Sequence, residues 1–72
     1  MKKIVKVEVE GIDCEKCVAK IKTRLLEMGD VHQVNIINYR YVILTIDPGS
    51  NIKRILEVIE EMGYRIGGKS DG

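Results

Sequence analysis

The chain has 72 residues and a mass of 8.2 kDa, room for a single domain of about half the usual ~100–200 residues. Lys and Arg number 12 against 11 Asp and Glu, a net charge of +1 with the single histidine neutral, which argues against the broad electrostatic grip of a nucleic-acid binder. Hydrophobic residues at 44% and charged residues at 32% are the mix of a chain that folds, and with no Trp or Phe its core must be built from Val, Ile, Leu and Met.

From Lys3 to Glu10 apolar and polar residues alternate, Val5, Val7 and Val9 on one face and Lys6, Glu8 and Glu10 on the other, which predicts a half-buried strand. Gly11-Ile12-Asp13-Cys14 breaks the alternation. Val18, Ile21, Leu25 and Met28 then recur at spacings of three and four, the apolar stripe of a helix running to Gly29. Val31 to Asn38 and Tyr41 to Ile46 read as a hairpin turning at Tyr39-Arg40. Asp47-Pro48-Gly49-Ser50 punctuates the chain, and Ile52, Ile55, Ile59 and Met62 form a second helical stripe that stops at Gly63. Tyr64-Arg65-Ile66 makes a short last strand, and the polar, glycine-rich end reads as a frayed tail.

This order, strand, helix, strand, strand, helix, strand, predicts an α+β ferredoxin-like sandwich, a four-stranded antiparallel sheet with both helices on one face. Three connections gather at one end: the loop with Cys14 and Cys17, the turn at Tyr39-Arg40, and the corner at Gly63-Tyr64. His32 and Asp47 fall at the other end, where His32 reads as a surface residue. Met28 and Met62 end apolar stripes and read as core filling.

Cys14 and Cys17 are too close in sequence for a disulfide between them to stabilise much, since closing so short a loop removes little entropy from the unfolded chain. Their value is chemical. At a strand-to-helix junction, free backbone N–H groups and the positive end of the helix dipole favour thiolate over thiol, and Lys16 and Lys20 add to this. Two thiolates on one loop suit Cu(I) and other soft ions, whereas a closed zinc site generally takes four ligands. Burial as two small hydrophobes fits poorly with polar Asp13, Glu15 and Lys16 around them. A dithiol redox enzyme is the stronger rival, but a thioredoxin-like plan needs a parallel strand pair that this order lacks. RNA recognition on the outer sheet face lacks the expected basic-Gly-aromatic pattern.

Gly11-Ile12-Asp13-Cys14-Glu15-Lys16-Cys17 resembles the GMxCxxC signature of the heavy-metal-associated domain family. The resemblance runs from about Lys3 to Ile66 and includes Gly29-Asp30-Val31-x-x-Val34-x-Ile36, the Asp47-Pro48 pair and Glu60-x-x-Gly63-Tyr64. It places the domain at residues 1–67, with 68–72 as a disordered tail. It also implies capture of one ion by Cys14 and Cys17, Cu(I) foremost with Zn(II), Cd(II) or Hg(II) as other cargoes, and no catalysis. Handover through shared-ligand intermediates to a metal-transporting P-type ATPase or another metal-binding domain follows, as does an apo monomer with a metal-bridged dimer open to it. Tyr64 matches a tyrosine that shields the thiolates in many bacterial copper chaperones, and also reads as a plain half-buried aromatic.

Two residues depart from the family pattern. Ile12 replaces the usual Met, whose side chain packs under the loop, a volume-conserving exchange. Asp13 replaces Thr or Ser and is similar to the Asp-Cys-x-x-Cys variant of zinc, cadmium and lead transporters. It reads either as a harder oxygen ligand for a divalent ion or as a helix cap or exposed residue. Lys16, Lys20, Lys22, Arg24 and Arg40 form either a solvated surface or a positive rim for an acidic partner. No stretch reaches the ~18 apolar residues of a membrane span, and charges break the start too early for a signal peptide, so the expected setting is cytoplasmic, without membrane insertion or nucleic acid.

Overall fold

Alternation in the first and third strands turns three side chains of each toward a common interior. In the computed structural model, which describes residues 1–71 and their side chains through residue 68, β1 (Lys3–Glu10) and β3 (Tyr41–Ile46) pair antiparallel at the centre of the sheet. Val5 stands opposite Leu44 and Val7 opposite Val42, and all four are fully buried. β2 (Val31–Ile37) joins the far side of β3 and β4 (Arg65–Asp71) the far side of β1. The sheet order is β2-β3-β1-β4, antiparallel throughout, in agreement with the ferredoxin-like plan.

The helices close the inner face. α1 (Glu15–Leu26) contributes Val18, Ile21 and Leu25, and α2 (Ile52–Glu61) contributes Ile55, Val58 and Ile59, to one core cluster with the strand residues. Met28 and Met62 pack against that cluster as core fillers. α2 starts cleanly because the Asn51 side chain accepts a bond from the Arg54 N–H at 3.4 Å, satisfying one of the free donors of a helix start. α1 ends three residues before the predicted stop at Gly29, because the Val31 N–H bonds the Met28 carbonyl at 3.2 Å and draws the chain into β2.

Two strands differ from the plain alternation. In β2 a bulge between Val31 and Gln33 puts Val31 and Val34 on the buried face, three residues apart. β4 corrects the expectation of a short strand ending at Ile66 and an unstructured tail: pairing with β1 continues from Glu10↔Arg65 to Val5↔Asp71, with a bulge at Gly67. Because β1 lies inside the sheet, its backbone groups on the side away from β3 need partners, and the ladder outweighs the low strand propensity of glycine. Residue 72 of the expected tail lies outside the described residues.

At the β2–β3 turn the Arg40 N–H bonds the Ile37 carbonyl at 3.0 Å, and Asn38 and Tyr39 both have positive φ, 55° and 53°. Two left-handed central residues mark a type I′ turn, whose twist matches that of paired strands. On the outer sheet face the Lys6 ammonium sits 4.5 Å from the Tyr41 ring centre, so the ring there is already covered.

Candidate metal centre

The chain leaves β1 through Gly11, whose φ of 104° is open to glycine at little cost. A side chain at this position would also meet the Tyr64 ring, 3.4 Å from where its Cβ would lie. Ile12 then turns inward and is 7% exposed, anchoring the loop in the core as expected of a residue replacing Met there. Asp13 and Cys14 face outward.

Cys14 is the N-cap of α1, with an extended backbone (φ −160°, ψ 168°), and its carbonyl accepts from the Val18 N–H at 3.3 Å. Its position corrects the reading of Asp13 as the helix cap: the capping site belongs to the next residue, and no side chain bonds back to the first turn. Asp13 is exposed and turned toward the thiols instead, its Oδ1 3.5 Å from Cys17 Sγ. The two sulfurs are 3.5 Å apart, both thiols are free, Cys14 exposed and Cys17 half-buried. One ligand atom from each of Asp13, Cys14 and Cys17 lies within 4.8 Å of the other two.

Tyr64 completes this side of the site. Its hydroxyl bonds Cys17 and, together with contributions from Cys14 and the Asp13 backbone, holds the Cys17 thiol below its ordinary pKa. The effect is reciprocal. Bonding to Cys17, partial burial and the nearby negative charge push the Tyr64 phenol up to about 12. The Asp13 carboxylate works the other way on Cys17, since it accepts a bond from the protonated thiol. The net result is a sulfur that loses its proton more readily than an isolated thiol, next to a phenol that stays protonated and able to donate.

Glu15, the first residue of α1, is not grouped with the sulfurs. Its carboxylate accepts a 3.0 Å hydrogen bond from the Tyr39 hydroxyl, which crosses from the β2–β3 turn. That contact and its charge raise the Tyr39 phenol above its usual pKa. Periodicity and motif reasoning single out neither Tyr39 nor this bond; the only sequence signal is an aromatic in a turn position where Asn-Gly is the usual pair.

Lys16, Lys20 and Arg24 line one groove along α1 with Ala19, Thr23, Glu27 and Met62. Lys22 is not part of that lining, and Arg40 pairs with Glu8 at 3.6 Å. His32 lies at the opposite end of the fold and bonds Asp47 at 2.7 Å. Among the described residues the only grouping of three or more candidate metal ligands is Asp13, Cys14 and Cys17, and no helix is long and apolar enough to cross a membrane.

A ferredoxin-like sandwich with a solvent-accessible dithiol at the start of its first helix defines a small thiol-bearing metal-binding domain. The chain belongs to the heavy-metal-associated domain family, whose model matches residues 6–65. Among solved structures it is similar to the CsoZ metallochaperone, at 29% identity and TM-score 0.84, covering 94% of this chain and 100% of that one. It is also similar to a Bacillus anthracis protein assigned as copper-ion-binding, at 32% identity and TM-score 0.84, covering 92% and 96%. The yeast copper transporter domain Ccc2a, solved in apo and Cu(I)-loaded states, matches at 27% identity and TM-score 0.81, covering 94% and 99%. Comparison by sequence with curated proteins returns no match.

Proposed function

We propose that this domain carries one Cu(I) ion between Cys14 and Cys17 and passes it to a metal-transporting P-type ATPase or another metal-binding domain, in a reducing, cytoplasmic setting and without catalysis. The observation that carries this reading is the pair of free thiols 3.5 Å apart at the start of α1, Cys14 exposed and Cys17 half-buried, with the Cys17 pKa lowered. Soft thiolates select Cu(I), and exposure lets an incoming thiol attack the bound ion while both cysteines still hold it. Sulfurs bound to one tetrahedral zinc stand ~3.8 Å apart, from a Zn–S length of ~2.3 Å; a two-coordinate ion asks for a wider pair. Cys14 precedes the helix and is exposed, so a rotamer change can open the spacing without moving the core. The similarity to Cu(I)-loaded Ccc2a and to the Bacillus anthracis protein supports the same cargo. The apo chain acts as a monomer, and one Cu(I) shared between two such sites can link two copies.

A second reading is favoured by one contact. Asp13 Oδ1 is 3.5 Å from Cys17 Sγ, which gives a divalent ion such as Zn(II) or Cd(II) two sulfurs and one oxygen that Cu(I) does not need. The test is an anaerobic titration of reduced protein with Cu(I) and with Zn(II) against chelators of known affinity, including Cys14→Ser and Cys17→Ser. Loss of tight Cu(I) binding in both variants with the fold intact is expected. Unchanged affinity in either would reject the site, and stronger discrimination for Zn(II) would move the cargo to divalent ions.

A further inference from the structure

Tyr39 occupies a backbone conformation that disfavours it. Its φ of 53° follows Asn38 at 55° in a two-residue left-handed turn, where Asn is well suited and glycine is the usual second residue. An aromatic side chain adds strain that glycine avoids. Strain of this kind persists where surrounding contacts enforce it, and it clusters at functional sites. Here the compensating contact is the 3.0 Å bond from the Tyr39 hydroxyl to the Glu15 carboxylate, and Glu15 lies between the two cysteines in sequence and opens α1.

We infer that the β2–β3 turn is a strap on the metal loop, with Tyr39 a positioning residue that fixes Glu15 and, through it, the backbone of the first helical turn from which Cys14 and Cys17 project. The inference rests on the reading that these two cysteines hold the ion. The loop needs such support. Cys14 caps α1 without a side-chain bond, Asp13 and Cys14 are exposed, and Ile12 is the loop side chain embedded in the core. A second anchor on the first helical turn reduces the ordering that metal binding must otherwise impose. The strap also decides which acid joins the donors: Asp13 lies with the sulfurs, while Glu15, held by Tyr39, is not in that group.

The experiment uses the full chain and reads Cu(I) and Zn(II) affinity by chelator competition, with thermal stability and hydrogen exchange of the Val18 amide in the apo protein alongside. Tyr39→Phe, which removes only the hydroxyl, and Glu15→Ala are each expected to weaken binding by about three- to tenfold, the worth of one exposed hydrogen bond. The double variant should lose no more than either single one. Glu15→Gln keeps an acceptor and should behave like the unmodified chain. Tyr39→Gly separates the strap from ordinary structural support, because relief of strain should raise the melting temperature while affinity falls and Val18 exchanges faster. Full affinity in Tyr39→Phe, or additive losses in the double variant, would overturn the strap. If instead Cys14→Ser and Cys17→Ser leave affinity unchanged, the metal site itself is misassigned.

Discussion

Replacing Leu44 with alanine tests whether the fold and the metal loop are energetically joined. Leu44 is fully buried on the interior strand β3, opposite Val5 of β1 and Val34 of β2, so few neighbours can collapse into the space it leaves. Such truncations cost about 2–5 kcal/mol, comparable to the ~3–5 kcal/mol that a core of this size supplies. At ~4–8 °C per kcal/mol for a domain of this length, a loss of ~3 kcal/mol lowers Tm by ~12–24 °C. Metal restores part of this. An ion at 1,000 times its Kd adds at most about 4 kcal/mol, less whatever the unfolded chain retains, because its cysteines stay three residues apart in sequence and still bind. The assay is circular dichroism melting of apo and Cu(I)-buffered protein. The expected result is a broad, low transition for apo Leu44→Ala and a sharper, higher one on loading. A fall in Tm of less than about 4 °C would refute the packing argument, and equal rescue by metal in a Leu44→Ala chain that also carries Cys17→Ser would refute the coupling.

Asp13→Ala should weaken Zn(II) and Cd(II) by about tenfold or more while leaving Cu(I) within about twofold; equal losses for both ions in competition titrations would reject selective ligation. Tyr64→Phe removes the largest contribution holding the Cys17 thiol down, so the pH profile of Cys17 alkylation by iodoacetamide should move to higher pH, and an unmoved profile would show that the phenol does not act on the thiolate. The raised Tyr64 pKa carries a stability consequence of definite sign: its contribution is fully present below the ordinary tyrosine value of 10.0 and is lost as pH rises through about 12. Cys17, with its pKa lowered, contributes stability above its ordinary value of 9.0 that is lost as pH falls through the folded value; chemical denaturation across pH 6–12 in the unmodified and Tyr64→Phe chains separates the two. Gly63→Ala, at a φ of 98°, should cost about 1 kcal/mol or more, and a rise in Tm would contradict that backbone argument.

The strands and helices were legible because their burial follows period two and period three-to-four, as Val5, Val7 and Val9 and then Val18, Ile21 and Leu25 illustrate. Cys14 and Cys17 stood out for the same local reason, two thiols at the junction of two patterns. What escaped depends on partners distant in sequence. β4 runs past Ile66 because β1 offers an unpaired side to Gly68 and beyond, a demand invisible in the composition of a glycine-rich end. Val31 faces inward only through the bulge in β2, and Tyr39 meets Glu15 across 24 positions of sequence. Asp13 illustrates the opposite limit: its type fits a cap, a plain exposed residue or a ligand, and the backbone at Cys14 decides only against the cap.

Asp13 and Cys14 lie outside the packed interior, while Ile12 roots the loop in it. The acid beside the sulfurs and the packed core are therefore separate sets of side chains, with Cys17 at their boundary. A substitution at residue 13 alters charge and hardness beside the sulfurs without opening a void, so such changes can accumulate singly, each intermediate still folded. A scaffold arranged in this way can be redirected from one ion to another by few steps, with no repacking between them.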